Sequence, residues 1–255
     1  MTDQELDEAI AAAITEVYAR ANVPRPTAER PIVPLGELAG CFNLTWQELP
    51  QLTGASAIAF LRERAGAFEI PRNLADEHLA GFLYATPRYG NIFVEQDDRL
   101  TRRRFSVAHE LGHYLLHVRP YFARHASDDA GAPLSVVEAL PTDGEQDEGA
   151  QLQGHLMLPA ENVGSANRVD ADEGAAQRRI EEEANRFAAE MLMPAEVVTA
   201  LALTYGSQMG PGDLVWRLAS EMLVSRAAVQ RRLLDLGLVP PKRRTTLGLG
   251  AEALN

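Results

Sequence analysis

The pattern that most constrains this chain is His109-Glu110-Leu111-Gly112-His113, set in the apolar, helix-forming stretch FSVAHELGHYLLH. Residues four apart lie on one face of a helix, so both imidazoles can reach a single metal ion. Glu110 projects about 100° around the helix from His109, which sets a carboxylate beside the metal rather than on it. There it can take a proton from water whose pKa zinc lowers to about 7. Gly112 in mid-helix costs roughly 1 kcal/mol relative to alanine, and close packing near the metal is the expected reason.

Tetrahedral zinc with one open position needs a third protein ligand. A metzincin would have glycine at 116 and histidine at 119, whereas this chain has Leu116 and Arg119. His117 lies about 80° around the helix from His109, so it is expected as a satisfied surface or core histidine. A carboxylate from a second helix remains. Residues 178–193, RRIEEEANRFAAEMLM, read as a helix stopped by Pro194, and they offer Glu181, Glu182 and Glu183. Ala184, Phe187, Ala188, Met191 and Leu192 form its apolar stripe, and Glu181 extends that stripe. A carboxylate on such a face is costly to bury unless it is paired or on a metal. Glu181 is therefore favoured. Glu182 and Glu183 fit a solvated flank better, with Glu183 still open as the alternative ligand. Asn185, four residues after Glu181, is placed to orient a ligand histidine.

The other segments read as a mixture of helices and strands. Residues 4–22 form a helix ended by Pro24 and Pro26, so 1–30 are an N-terminal helix and linker. LGELAGCFNLTW reads as a short helix leading toward a strand, and 54–66 as an amphipathic helix. GFLYA (81–85) and NIFVEQ (91–96) read as an antiparallel hairpin that precedes the helix at 101–118. Residues 119–178 read as an acidic insertion or lid with one apolar island, GHLMLP. From 127 to 183 there are 14 acidic and 3 basic residues, which accounts for nearly all of the chain's net charge of −12. Two more helices are expected at 212–222 and 225–236, then a flexible tail at 239–255. One cysteine, Cys41, excludes an intrachain disulfide framework and a multi-cysteine zinc ribbon, and it is expected to pack as a small hydrophobe. No apolar run approaches the ~18 residues of a membrane helix. The opening MTDQELDE is acidic where a secretory signal is basic, so a soluble, cytoplasmic protein is expected.

RRRFSVAHELGHYLLH followed by EEEANRFAAEMLMP resembles the ImmA/IrrE metallopeptidases, whose second motif is E-x-x-A-N-x-F-A-A-x-L-L-M-P. The resemblance runs over roughly residues 31–238 and also takes in IVPLGELAGCFNL. It implies an α+β fold: a zincin-like core at 31–200, with a small sheet packed on the HExxH helix, and mainly helical N- and C-terminal parts. It makes His109, His113 and Glu181 the ligands of one zinc ion and Glu110 the general base. It also implies a helix-turn-helix-like region at 201–238, carried by LASEMLVSRAAVQRRLLDLGLV, with the turn and cap at Val224-Ser225. The expected activity is cleavage of a helix-turn-helix repressor, relieving repression in stress, phage or mobile-element regulation. The spacing from His113 to Glu181 is longer than is usual in the family.

Two other functions compete with this one. Arg217, Arg226, Arg231 and Arg232 give the C-terminal helices local positive charge, as DNA or partner contact would need, with the metal site then structural or vestigial. The acidic whole chain argues against DNA. A protein that only sequesters its partner would have no use for a general base. Arg102, Arg103 and Arg104 are candidates to grip an acidic substrate or to pair with the acidic insertion. Tyr114, Tyr121 and His155 are possible transition-state donors.

Overall fold

The computed structural model describes residues 2–65, 78–124, 134–139, 153–157 and 171–239, with 134–139 and 153–157 described as backbone. It is a mixed α+β fold built on one five-stranded sheet. Helix α1 (Asp3–Ala21) opens on a capping box: the Thr2 hydroxyl accepts from the Glu5 amide, and the Glu5 carboxylate accepts from the Thr2 amide. It ends at Asn22 in the left-handed region, φ 54°. There follow α2 (Leu35–Gly40), β1 (Leu44–Leu49), α3 (Gly54–Ala65), β2 (Leu79–Ala85) and β3 (Gly90–Glu95). Thr53 caps α3, its hydroxyl accepting from the Ser56 amide at 3.1 Å.

Strand order is β1-β3-β2-β4-β5, with β4 at Leu134–Ala139 and β5 at Gln153–Met157. β1 runs parallel to β3, and all other pairings are antiparallel. The expected hairpin is β2–β3, tied at its turn by the Thr86 amide and hydroxyl, both donating to the Tyr89 carbonyl. Gly90 is required where β3 begins. A Cβ there would lie 2.7 Å from both Leu44 Cδ2 and the Tyr84 carbonyl oxygen.

Strands β2 and β3 are buried on both faces, and alternation sorts their side chains. Phe82, Tyr84 and Phe93 meet Leu52, Ala57 and Leu61 on the α3 side. Leu83, Ala85, Ile92 and Val94 point the other way, into the main core, with Val107, Ala108 and Leu111 of α4 (Leu100–His113). Helix α4 is thus backed by a rigid sheet.

Beyond α4 the helix continues without a break. Tyr114–Val118 form a π-helical turn and Arg119–Arg124 form α5. Helix α6 (Ala171–Leu192) packs along α4, and α7 (Ala195–Gly206), α8 (Pro211–Met222) and α9 (Arg226–Asp235) complete the chain. Helix α7 is not among the elements expected from the sequence. The α8–α9 connection has Leu223 in the left-handed region, φ 53°, and Ser225 as N-cap, its hydroxyl accepting from the Ala228 amide.

Residues 119–178 are more than an insertion: they supply α5, two strands of the sheet and the start of α6. The apolar island GHLMLP is largely β5. Most of the remaining acidic stretch lies outside the described residues, as does the tail beyond 239. No single helix among the described residues is long and apolar enough to cross a membrane.

Helix α1 straps the back of this assembly. Its Leu6, Ile10, Ile14 and Val17 are buried in the main core. Arg186 of α6 pairs with Asp3 and Asp7, and Arg119 pairs with Glu16. Exposed pairs of this kind give at most ~1 kcal/mol each, whereas full burial of one aliphatic side chain gives ~1.5–3 kcal/mol. The apolar stripe holds α1 in place, and the ion pairs fix its register.

The α4–α6 contact depends on Gly112. A Cβ at Gly112 would lie 2.9 Å from Phe187 Cδ1 and 3.2 Å from Phe187 Cβ, and Phe187 is fully buried. Gly112→Ala gains ~1 kcal/mol of helix propensity but overpacks a full core, which costs ~1–3 kcal/mol. We expect the variant to unfold at lower denaturant than the wild type when both are metal-free, as followed by circular dichroism.

Candidate metal centre

Helix α4 carries His109 and His113 one turn apart on the face toward α6, and α6 returns Glu181 and Asn185, also one turn apart. The four sit where the two helices pack. His109, Glu110 and His113 are fully buried and Glu181 is 5% exposed. His109 Nε2 and His113 Nε2 are 2.8 Å apart, and Glu181 Oε2 lies 3.3 Å from the first and 3.5 Å from the second. Among the described residues these three form the one group of candidate ligand atoms gathered closely enough to hold a metal ion.

The donor set fits zinc. Four-coordinate zinc with bonds of ~2.0–2.1 Å has ligand–ligand edges of about 3.3–3.4 Å. Both carboxylate–imidazole separations match this edge, and the imidazole–imidazole one is shorter. The protonation states fit as well. Burial pushes His113 down to about 3, so its imidazole is neutral at neutral pH. Burial alone would raise the Glu181 carboxyl, but its close contacts with the His109 and His113 imidazoles outweigh it and hold the group at about 2. Neutral imidazoles and an ionised carboxylate are the forms that bind metal.

Outside the ligand atoms, each histidine has a partner at its other nitrogen. His109 Nδ1 meets Asn185 Oδ1 at 3.0 Å. His113 Nδ1 meets His117 Nδ1 at 3.2 Å, His117 Nε2 meets Glu183 Oε2 at 3.1 Å, and Arg179 Nε donates to Glu183 Oε1 at 3.0 Å. His117 is a satisfied histidine, not a third ligand. Sequence reasoning missed its partner. Glu183 is buried rather than on a solvated flank, and hydrogen bonding from His117 holds its carboxyl below the usual range. The cause is the π turn at Tyr114–Val118. A turn with i→i+5 bonding advances each residue by less than 100°, so His117 rotates back toward the face of His113 and reaches α6. Glu182 is exposed.

The remaining candidates are drawn into other contacts. Tyr114 stacks edge-on to Phe42 and Tyr121 to Phe122. His155 falls on β5, where only the backbone is described. Arg102 pairs with Asp98, Arg103 with Glu48, and Arg104 is buried with Nη2 donating to the Val33 carbonyl. Arg103 and Arg104 therefore brace α4 against neighbouring elements, and Arg102 ties its first turn to the preceding residues. Arg232 is bound to Glu190 and to the Met193 carbonyl, which ties α9 to α6. Arg217 pairs with Glu221 on its own helix and lies over the Tyr205 ring. Arg226 and Arg231 are exposed on α9. Cys41 is half-buried, its thiol donating to the Leu38 carbonyl, and burial pushes that thiol up.

The sequence profile of a peptidase family, described as the IrrE N-terminal-like domain, matches residues 62–133 and 152–234. The chain belongs to this family. The match includes the HExxH segment and the whole of α6, so the IrrE-like peptidase domain contributes every residue of the candidate centre. Residues 134–151, with β4, stand outside the match. No curated protein matches the chain.

Asn185 can be tested apart from the ligands. Partners at the outer nitrogen of a metal-bound histidine are worth ~10–100-fold in metal affinity. We expect Asn185→Ala to weaken zinc binding by a factor in that range, measured by competition with a chromophoric chelator.

Proposed function

We propose that the chain is a zinc-dependent endopeptidase of the cytoplasm that cleaves a helix-turn-helix transcriptional repressor and so relieves repression. One observation carries the reading: a buried carboxylate oxygen of α6 and two buried imidazole nitrogens of α4 converge, and α4 also carries the fully buried Glu110 next to His109. The family supports peptidase chemistry. Zinc is favoured by the donor set of two imidazoles and one carboxylate, and the repressor by the resemblance of the two motifs to the ImmA/IrrE metallopeptidases.

Zinc held by His109, His113 and Glu181 would supply Lewis-acid polarisation to the scissile carbonyl. The chain's own residues do the rest. Asn185 accepts from the outer nitrogen of His109 and keeps that ring turned toward Glu181. Glu110 takes a proton from the attacking water on its carboxylate and returns it to the leaving amine. The sheet behind α4 keeps Glu110 and the two histidines in fixed relation during that transfer.

The test is incubation of the zinc-loaded chain with a helix-turn-helix repressor encoded beside it, with fragments identified by mass spectrometry. We expect discrete cleavage. Glu110→Gln should retain zinc and lose ~10²–10⁴-fold in rate, the usual contribution of a general base. Glu181→Gln should lose zinc itself. An intact repressor after prolonged incubation with the zinc-loaded wild type would sink the substrate assignment, and an undiminished rate in Glu110→Gln would sink the mechanism.

A further inference from the structure

The two histidines of the centre are supported unequally. At Nδ1, His109 meets the Asn185 amide. His113 leans on a chain of three groups, His117, Glu183 and Arg179, that the proposed reaction does not use. We propose that His117 and Glu183 are positioning residues of the metal centre, which hold the proton of His113 on Nδ1 and so present a bare Nε2 to the ion. This rests on the reading that His109, His113 and Glu181 bind metal.

The direction of every hydrogen bond in the chain follows from its two ends, the carboxylate outside and the metal ligand inside. An ionised carboxylate only accepts. The 3.1 Å contact at Glu183 Oε2 therefore puts a proton on His117 Nε2. At the other end, an imidazole that gives its Nε2 lone pair to a metal keeps its proton on Nδ1, so His117 Nδ1 must accept. The proton between the two rings, across 3.2 Å, then belongs to His113 Nδ1. His113 is left with its lone pair on Nε2, the atom that faces His109 and Glu181. Asn185 produces the same tautomer at His109 in one step, through its carbonyl oxygen.

The chain also opposes a competing arrangement. Glu181 Oε2 lies 3.5 Å from His113 Nε2 and by itself would draw the proton of His113 inward, onto the atom a metal needs. Glu183, acting through His117, draws it outward. Arg179 and the burial of Glu183 fix that carboxylate in place. The π turn exists where it brings His117 between the two.

The test compares zinc affinity, by competition with a chromophoric chelator, in the wild type, His117→Phe, His117→Gln and Glu183→Gln. The tautomer of His117 is read by NMR of the ¹⁵N-histidine-labelled, zinc-loaded wild type. We expect His117 to carry its proton on Nε2. His117→Phe, which keeps the ring and removes the acceptor, should bind zinc ~10–100-fold more weakly. His117→Gln, whose amide oxygen can accept from His113, should recover most of that loss. Glu183→Gln matches glutamate in size and guards against a packing artefact; its amide can donate to His117, so it too should weaken binding. A His117 proton on Nδ1, or wild-type affinity in both His117→Phe and Glu183→Gln, overturns the proposal and leaves the metal site standing. A wild type that takes up no zinc overturns the metal site and the proposal together.

Discussion

The structure turns on one contact, the crossing of α4 and α6, where two imidazoles and three carboxylates are taken out of water together. Each group would be costly there alone. The surrounding architecture reduces that cost by fixing geometry rather than by adding charge. Gly112 lets the helices approach until Phe187 fills the space a side chain would take. The sheet backs α4 with Leu83, Ala85, Ile92 and Val94, so the helix cannot retreat from α6. Helix α1 packs its aliphatic stripe into the same core and bridges to α6 through Arg186. A centre carried by two packed helices can hold ligand atoms a few ångströms apart without relying on a loop.

Much of this geometry was legible in the sequence because it is local and periodic. Four-residue spacing put His109 and His113 on one face, and the stripe from Ala184 to Leu192 put Glu181 on the face turned inward. Asn185 followed from the same arithmetic. The β2–β3 hairpin was readable from apolar, aromatic runs around a proline–glycine turn, and α8 and α9 from their stripe, with the serine cap implied by the family resemblance. These features depend on 3.6- and 2-residue repeats that a chain cannot hide.

What was not legible depends on departures from those repeats or on distant partners. A π turn has no periodic signature of its own, so the direction expected for His117 holds only for an unbroken α-helix, and the same arithmetic turns Glu183 toward solvent when it is in fact buried. β4 and β5 sit in a stretch rich in acidic residues, proline and glycine, and their strand state comes from pairing with β2 and with each other rather than from local preference. Helix α7 follows directly on Pro194, which reads as a stop for α6 but also serves as N-cap of the next helix. The run Arg102–Arg104 looks like one basic patch in the sequence. On the helix the three side chains diverge to an aspartate, a glutamate and a backbone carbonyl.

The fate of the arginines bears on function as much as on fold. A surface that grips a polyanion needs cations with no better partner inside the protein. Of the four arginines in the C-terminal helices, Arg232 is committed to Glu190 and the Met193 carbonyl, and Arg217 to Glu221 and the Tyr205 ring. Arg232 is where α9 is anchored to the helix that carries Glu181, so its charge serves cohesion between the C-terminal helices and the centre. Net charge works in the same direction, since at −12 the chain as a whole repels a nucleic acid. The acidic groups of the centre have the opposite character. Glu110, Glu181 and Glu183 are buried at one helix contact together with His109 and His113, with His117 half-buried beside them, a concentration that stability alone does not favour and that chemistry at a bound cation does.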